Sequence, residues 1–115
     1  MGTPLYMAPE LVRHERYTEK IDVWSLGVVV YQLLCGKTPF DGVSLRRINH
    51  NICNKEVNFN SLTQISEEAK SFILRCLEKD PHKRPSIKDL FDDAWIQNIT
   101  DQDGNQNSDQ VRANL

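Results

Sequence analysis

Two stretches of the chain place metal-ligating side chains at regular spacing. His50 and Cys53 form an HxxC pair on one face of a helical stretch. An imidazole and a thiolate would suit zinc, but a closed site needs four ligands and no second pair accompanies them. Asp101, Asp103 and Asn105 put oxygen ligands at alternate positions, as a calcium loop begins. Gln106 then stands where the turn glycine belongs, and Arg112 where the bidentate glutamate is needed. Neither stretch is read as a metal site. Cys35, Cys53 and Cys76 are odd in number and show no CxxC spacing, so they are expected to be reduced thiols of a cytoplasmic protein. The remaining candidates lie in three dense strings. Gly2-Thr3-Pro4-Leu5-Tyr6-Met7-Ala8-Pro9-Glu10 carries a hydroxyl that can donate and accept at once, then a carboxylate. Asp22-Val23-Trp24-Ser25-Leu26-Gly27 carries an acid inside an apolar run, where it needs hydrogen-bond donors or a solvated first turn. Asp80-Pro81-His82-Lys83-Arg84-Pro85-Ser86 carries a guanidinium able to grip a carboxylate with two parallel bonds.

The elements that hold these strings read as helices. Met1 to Met7 has Gly and Pro and no period, so it is an ordered loop. Ala8 to His14 forms a short helix with Pro9 and Glu10 in its first turn. Thr18 caps a helix that runs from Ile21 to Cys35, apolar on all sides, and Gly36 ends it. Such a helix belongs at the centre of a larger body, and part of its surface is expected to lie open. Leu45, Ile48 and Ile52 give one face of a helix over residues 44–54. Residues 55–65 read as a loop pinned by Val57, Phe59, Leu62 and Ile65. Ser66 caps the next helix, whose stripe is Ala69, Phe72, Ile73, Cys76 and Leu77, and Asp80-Pro81 breaks it. Ser86 with Asp89 is a capping-box variant before a last stripe of Ile87, Leu90, Phe91, Ala94 and Trp95. Residues 98–115 read as a disordered polar tail. The fold class is all-α, with about five helices.

Composition narrows the function classes. The 115 residues are 39% hydrophobic and 26% charged, which fits a globular chain and excludes collagen or a wholly disordered one. The formal charge of −2 provides no basic field for nucleic acid or an anionic membrane. The most apolar run, from Ile21 to Cys35, is too short for a bilayer, which needs about 20 residues.

The three strings resemble, in order and spacing, consecutive landmarks of the eukaryotic protein kinase catalytic domain: the Ala-Pro-Glu that closes the activation segment, the DVWSLG helix start and the DPHKRPS turn. The likeness covers residues 1–97, taken as a partial kinase domain from the end of the activation segment through the last helix. GTPLYMAPE is similar to serine/threonine rather than tyrosine kinases. The YTEKIDVWSLGV, GKTPF, ISEEAK and Trp95-Ile96-Gln97 strings look like the calcium/calmodulin-dependent and calcium-dependent kinase group.

The resemblance implies a C-terminal helical subdomain with no small lobe, and it implies roles. Gly2, Thr3, Pro4, Leu5, Tyr6 and Met7 would shape the substrate pocket, with Thr3 supporting the catalytic Asp. Glu10 would pair with Arg84, Asp22 would accept bonds from the catalytic loop, Trp24 would pack in the core, and Gly27 would permit close helix approach. Kinase chemistry also needs a glycine-rich loop, a nucleotide-binding Lys, an HRD aspartate and a DFG aspartate. This sequence contains no GxGxxG, HRD or DFG. ATP and Mg²⁺ are therefore expected only in the intact parent, with no catalytic, cofactor or metal residue here and no activity from the chain alone. The expected partner is a protein substrate or the rest of the kinase domain. A non-catalytic module that competes for kinase partners is the alternative.

Overall fold

The computed structural model of the chain describes residues 4–59 and 64–103. Among the described residues every regular element is helical. A 3-10 turn, Pro4–Tyr6, leads into α1 (Pro9–Val12), α2 (Lys20–Cys35), α3 (Leu45–Asn54), α4 (Glu67–Cys76), α5 (Ile87–Leu90) and α6 (Ala94–Asp103).

Local chemistry explains most boundaries. Pro9 opens α1, where its missing N–H is harmless. Past Val12 the chain closes a Schellman motif, with Glu15 N–H donating to the Glu10 carbonyl and His14 N–H to Leu11. His14 takes the left-handed position at φ 58°, usually a glycine's. Ser44, Ser66 and Ser86 cap α3, α4 and α5 through their hydroxyls, and Ser86 with Asp89 completes a reciprocal capping box. Gly36 stops α2 at φ 81°.

Several boundaries depart from the expectation, α1 among them, since it spans Pro9–Val12 rather than reaching His14. Glu19, not Thr18, occupies the N-cap of α2; the Thr18 hydroxyl accepts from Lys20 N–H instead. The last apolar stripe is not one helix. Asp93 breaks it, its carboxylate accepting from Trp95 N–H and its carbonyl from Gln97 N–H, which starts α6 afresh. α6 then continues beyond residue 97 to Asp103, because Ile96 and Ile99 still find the core to pack against. The rest of the expected tail, like Leu62 and the Asp103–Asn105 portion of the calcium-like string, lies wholly or partly outside the described residues.

The core sits between α2 and α4, closed by α6. Val23, Trp24, Val28 and Tyr31 of α2 meet Ala69, Phe72, Ile73 and Cys76 of α4, and Trp95 tilts onto Phe72 at 5.0 Å. Gly27 lets the two helices touch: a β-carbon there would lie 2.5 Å from Cys76 Cβ. The opposite face of α2 is bare, with Leu26, Val29 and Leu33 exposed. No helix among the described residues is long and apolar enough to cross a membrane.

Candidate functional site

The site is a turn and the clamp behind it. Met7 N–H donates to the Pro4 carbonyl at 3.2 Å, which closes the turn. Two side chains strap it to α2: the Tyr6 hydroxyl donates to Gln32 Oε1, and the Ser25 hydroxyl to the Tyr6 carbonyl at 3.2 Å. Pro4, Leu5, Tyr6 and Met7 are each half-buried, so one side of the turn is held and the other is open. Gly2 and Thr3 lie outside the described residues.

Behind the turn, Ala8, Pro9 and Glu10 are buried. Arg84 reaches Glu10 from the segment between α4 and α5, with Nη1 2.8 Å from Oε2 and Nη2 2.9 Å from Oε1. The remaining guanidinium hydrogens go to carbonyls: Nε to Glu78 at 2.8 Å, Nη1 to Lys20 at 3.0 Å and Nη2 to Lys79 at 3.4 Å. All five donors therefore have acceptors, which a fully buried guanidinium requires. Burial pushes the Glu10 carboxyl upward, but the hydrogen bonds and charge of Arg84 outweigh it and hold the group below its ordinary value. Trp24 packs its ring 5.3 Å from the guanidinium carbon and stacks on Phe40 at 5.7 Å. Its Nε1 finds no acceptor among the described residues.

Asp22 stands apart from this cluster. It is exposed in the first turn of α2, and its carboxylate makes no hydrogen bond or ion pair among the described residues. The donors implied for it belong to a catalytic loop, and this sequence contains no HRD string. In this chain Asp22 is an exposed charge at the positive end of a helix.

The thiols are unremarkable as nucleophiles. Burial pushes Cys76 up to about 12 and also raises Cys35. No group of three or more His, Cys, Asp or Glu side chains that could hold a metal occurs among the described residues. What the arrangement can do is present a rigid, half-open turn to another chain.

Sequence reasoning passed over Lys79. Its ammonium lies 4.2 Å above the Phe40 ring and donates to the Ile52 carbonyl at 2.7 Å. It also missed the Arg75–Asp93 pair at 2.6 Å, which ties α4 to the start of α6. A lysine immediately before Asp-Pro, following an apolar stripe, was the available signal for the first.

The protein kinase domain family matches residues 1–96. The chain is similar to serine/threonine-protein kinase 33 of Bos taurus, 41% identical over 97 residues that make up 83% of this chain and 20% of the relative. It is similar to an Aurora kinase of Dictyostelium discoideum, 40% identical over 95 residues, 83% of this chain and 24% of the relative. It is likewise similar to hormonally up-regulated neu tumor-associated kinase of Homo sapiens, 43% identical over 97 residues, 83% of this chain and 13% of the relative. The chain thus spans no more than about a quarter of the length of these curated relatives.

Proposed function

The chain belongs to the protein kinase domain family, and from that premise we propose that it forms the peptide-facing helical part of a serine/threonine protein kinase. The observation that carries this reading is the half-open Pro4–Met7 turn, strapped to α2 and backed by the buried Glu10–Arg84 clamp. A wall that must meet a substrate chain repeatedly needs that rigidity on one side and access on the other. In this reading Gly2, Thr3, Pro4, Leu5, Tyr6 and Met7 line the groove for the residue after the phosphoacceptor. Leu5 and Met7 supply its apolar walls, and the Thr3 hydroxyl steadies a catalytic aspartate contributed by another part of the domain.

The intact kinase would move the γ-phosphoryl group of ATP, held with Mg²⁺, to serine or threonine hydroxyls of proteins. The motifs that bind nucleotide and metal are not among these 115 residues, so the chain by itself transfers nothing. The bare stripe of Leu26, Val29 and Leu33 on α2 is the surface for the rest of the domain. Three free thiols support a reducing, cytoplasmic setting. The calcium-dependent subgroup rests only on the strings around Asp22, Gly36, Ser66 and Trp95, and the relatives named above carry other descriptions.

Two measurements test the reading. The purified 115-residue chain, given radiolabelled ATP, Mg²⁺ and a mixed serine/threonine peptide pool, should label nothing; turnover would refute the assignment of roles. The coding sequence upstream of Met1 should continue in frame into DFG and, before it, HRD. A stop codon in their place would favour the non-catalytic module.

A further inference from the structure

Lys79 follows α4, and its amine is held on several sides. Nζ donates to the Ile52 carbonyl at 2.7 Å and lies 4.2 Å from the Phe40 ring and 5.5 Å from Trp24. Lys79 also borders a cavity of about 500 Å³, with Val57, Leu74 and Leu77 as apolar walls and Glu56 and Glu78 as acidic ones. The peptide-facing role described above does not use this amine.

We propose that Lys79 is a covalent capture site for small apolar aldehydes, which enter this cavity and condense with its amine as a Schiff base. The amine lone pair attacks the aldehyde carbon, and the carbonyl π pair moves to oxygen. The oxygen then leaves as water with the two hydrogens that nitrogen gives up, and a C=N bond forms. Atoms balance without an oxidant or reductant. The cavity's chemistry favours this class over acylating agents. The imine nitrogen then takes up one proton from solvent, so the protonated imine carries a positive charge above Phe40 and Trp24 and has one N–H for the Ile52 carbonyl. An acyl group would cancel that charge. The alkyl tail of the aldehyde meets Val57, Leu74 and Leu77.

The amine is also primed. Burial pulls it down to about 8, and the nearby Arg13 charge adds to this, against the opposing influence of Cys53, Glu56 and Glu78. A far larger share of it is therefore an uncharged nucleophile at neutral pH than for an ordinary lysine.

The test is reductive alkylation of the full chain with butanal and cyanoborohydride, read by peptide mass spectrometry. Lys20, Lys37, Lys55, Lys70, Lys83 and Lys88 serve as internal references. Near neutral pH, Lys79 should be alkylated at least about tenfold faster than their mean, and denaturing guanidinium should abolish the preference. Replacing butanal by acetaldehyde should reduce the preference at least about threefold, because the tail loses its apolar walls. Leu74→Glu, at an exposed position, should suppress labelling of Lys79 alone. Uniform labelling of the native chain, or a Lys79 preference indifferent to tail length and to Leu74→Glu, would overturn the proposal.

Discussion

Removing one partner of the Glu10–Arg84 pair should destabilise the chain far more than loss of an exposed ion pair. Glu10→Ala deletes two charge-assisted bonds and leaves a guanidinium of zero exposure with three carbonyl acceptors and no counter-charge. Breaking such a pair costs about 3–5 kcal/mol. A domain of this size holds about 5–15 kcal/mol in total, so the variant should lose about a fifth or more of its stability. Arg84→Met strands the carboxylate and three carbonyls at once and should cost at least as much. With both residues made apolar, no charge is left buried, and the double variant should be milder than the sum of the singles by about 2 kcal/mol or more. Urea unfolding followed by tryptophan fluorescence is the assay, since Trp24 sits 5.3 Å from the guanidinium carbon and reports on the cluster directly. Acid supplies an independent check. Folded Glu10 titrates below its ordinary 4.5. Between those two values the unfolded chain binds the extra proton, so the pair's contribution is present above 4.5 and is lost as pH falls through the folded value. Glu10→Gln should flatten that acid limb. Single-variant losses below about 1 kcal/mol, or strictly additive effects, would refute the reasoning.

Other outcomes follow from the same geometry. Gly27→Ala should push α2 from α4, since its β-carbon would meet Cys76 Cβ at 2.5 Å; thermal melts should show a loss of about 1–3 kcal/mol despite alanine's better helix propensity. Cys76, fully buried and pushed up to about 12, should react with iodoacetamide at least about a hundredfold more slowly than half-buried Cys53 in the native chain at mildly alkaline pH, and equal rates would count against the packing. Lys79 releases its proton near 8 when folded but near 10.5 when unfolded. Raising the pH from 8 to 9 should therefore stabilise the chain, by at most about 1.4 kcal/mol per pH unit, and Lys79→Met should remove the rise. Above 9 the rise should level off, because Cys76 ionises near 9 only when unfolded and offsets Lys79, and above about 10.5 the trend should reverse. Leu33→Glu, on the barest part of α2 at 78% exposure, should reduce binding of a hydrophobic dye without lowering the melting temperature.

What could be read from the sequence was local. Ser44, Ser66 and Ser86 announce their helices because a cap needs only one hydroxyl and the next few amides. The Asp93 break was hidden because Ile87, Leu90, Phe91, Ala94 and Trp95 keep helical spacing across it. In the fold, Ile87 and Phe91 face outward while Leu90 and Trp95 are buried, so the period was real but its continuity was not. The clamp is non-local: no pattern within a short window connects Glu10 to Arg84, and only the family likeness suggested the pair. Asp22 shows the converse. Its assigned role depends on donors that this sequence does not encode, and within the chain it behaves as a helix-start charge. Lys79 escaped notice because a lysine reads as solvated until tertiary packing puts aromatic rings beneath it.

The clamp also sets a schedule for synthesis. Its two partners are 74 residues apart, and a ribosome adds about 5–20 residues per second. Glu10 therefore leaves the ribosome several seconds before Arg84 exists to receive it, and during that interval it can stay hydrated and need not enter an apolar interior. Helix α2 emerges in the same interval with its apolar surface uncovered. The clamp behind the turn is thus among the last contacts a newborn chain can secure. A nascent chain stalled before Arg84 should remain open to protease at residues 4–10, and one stalled well after it should not.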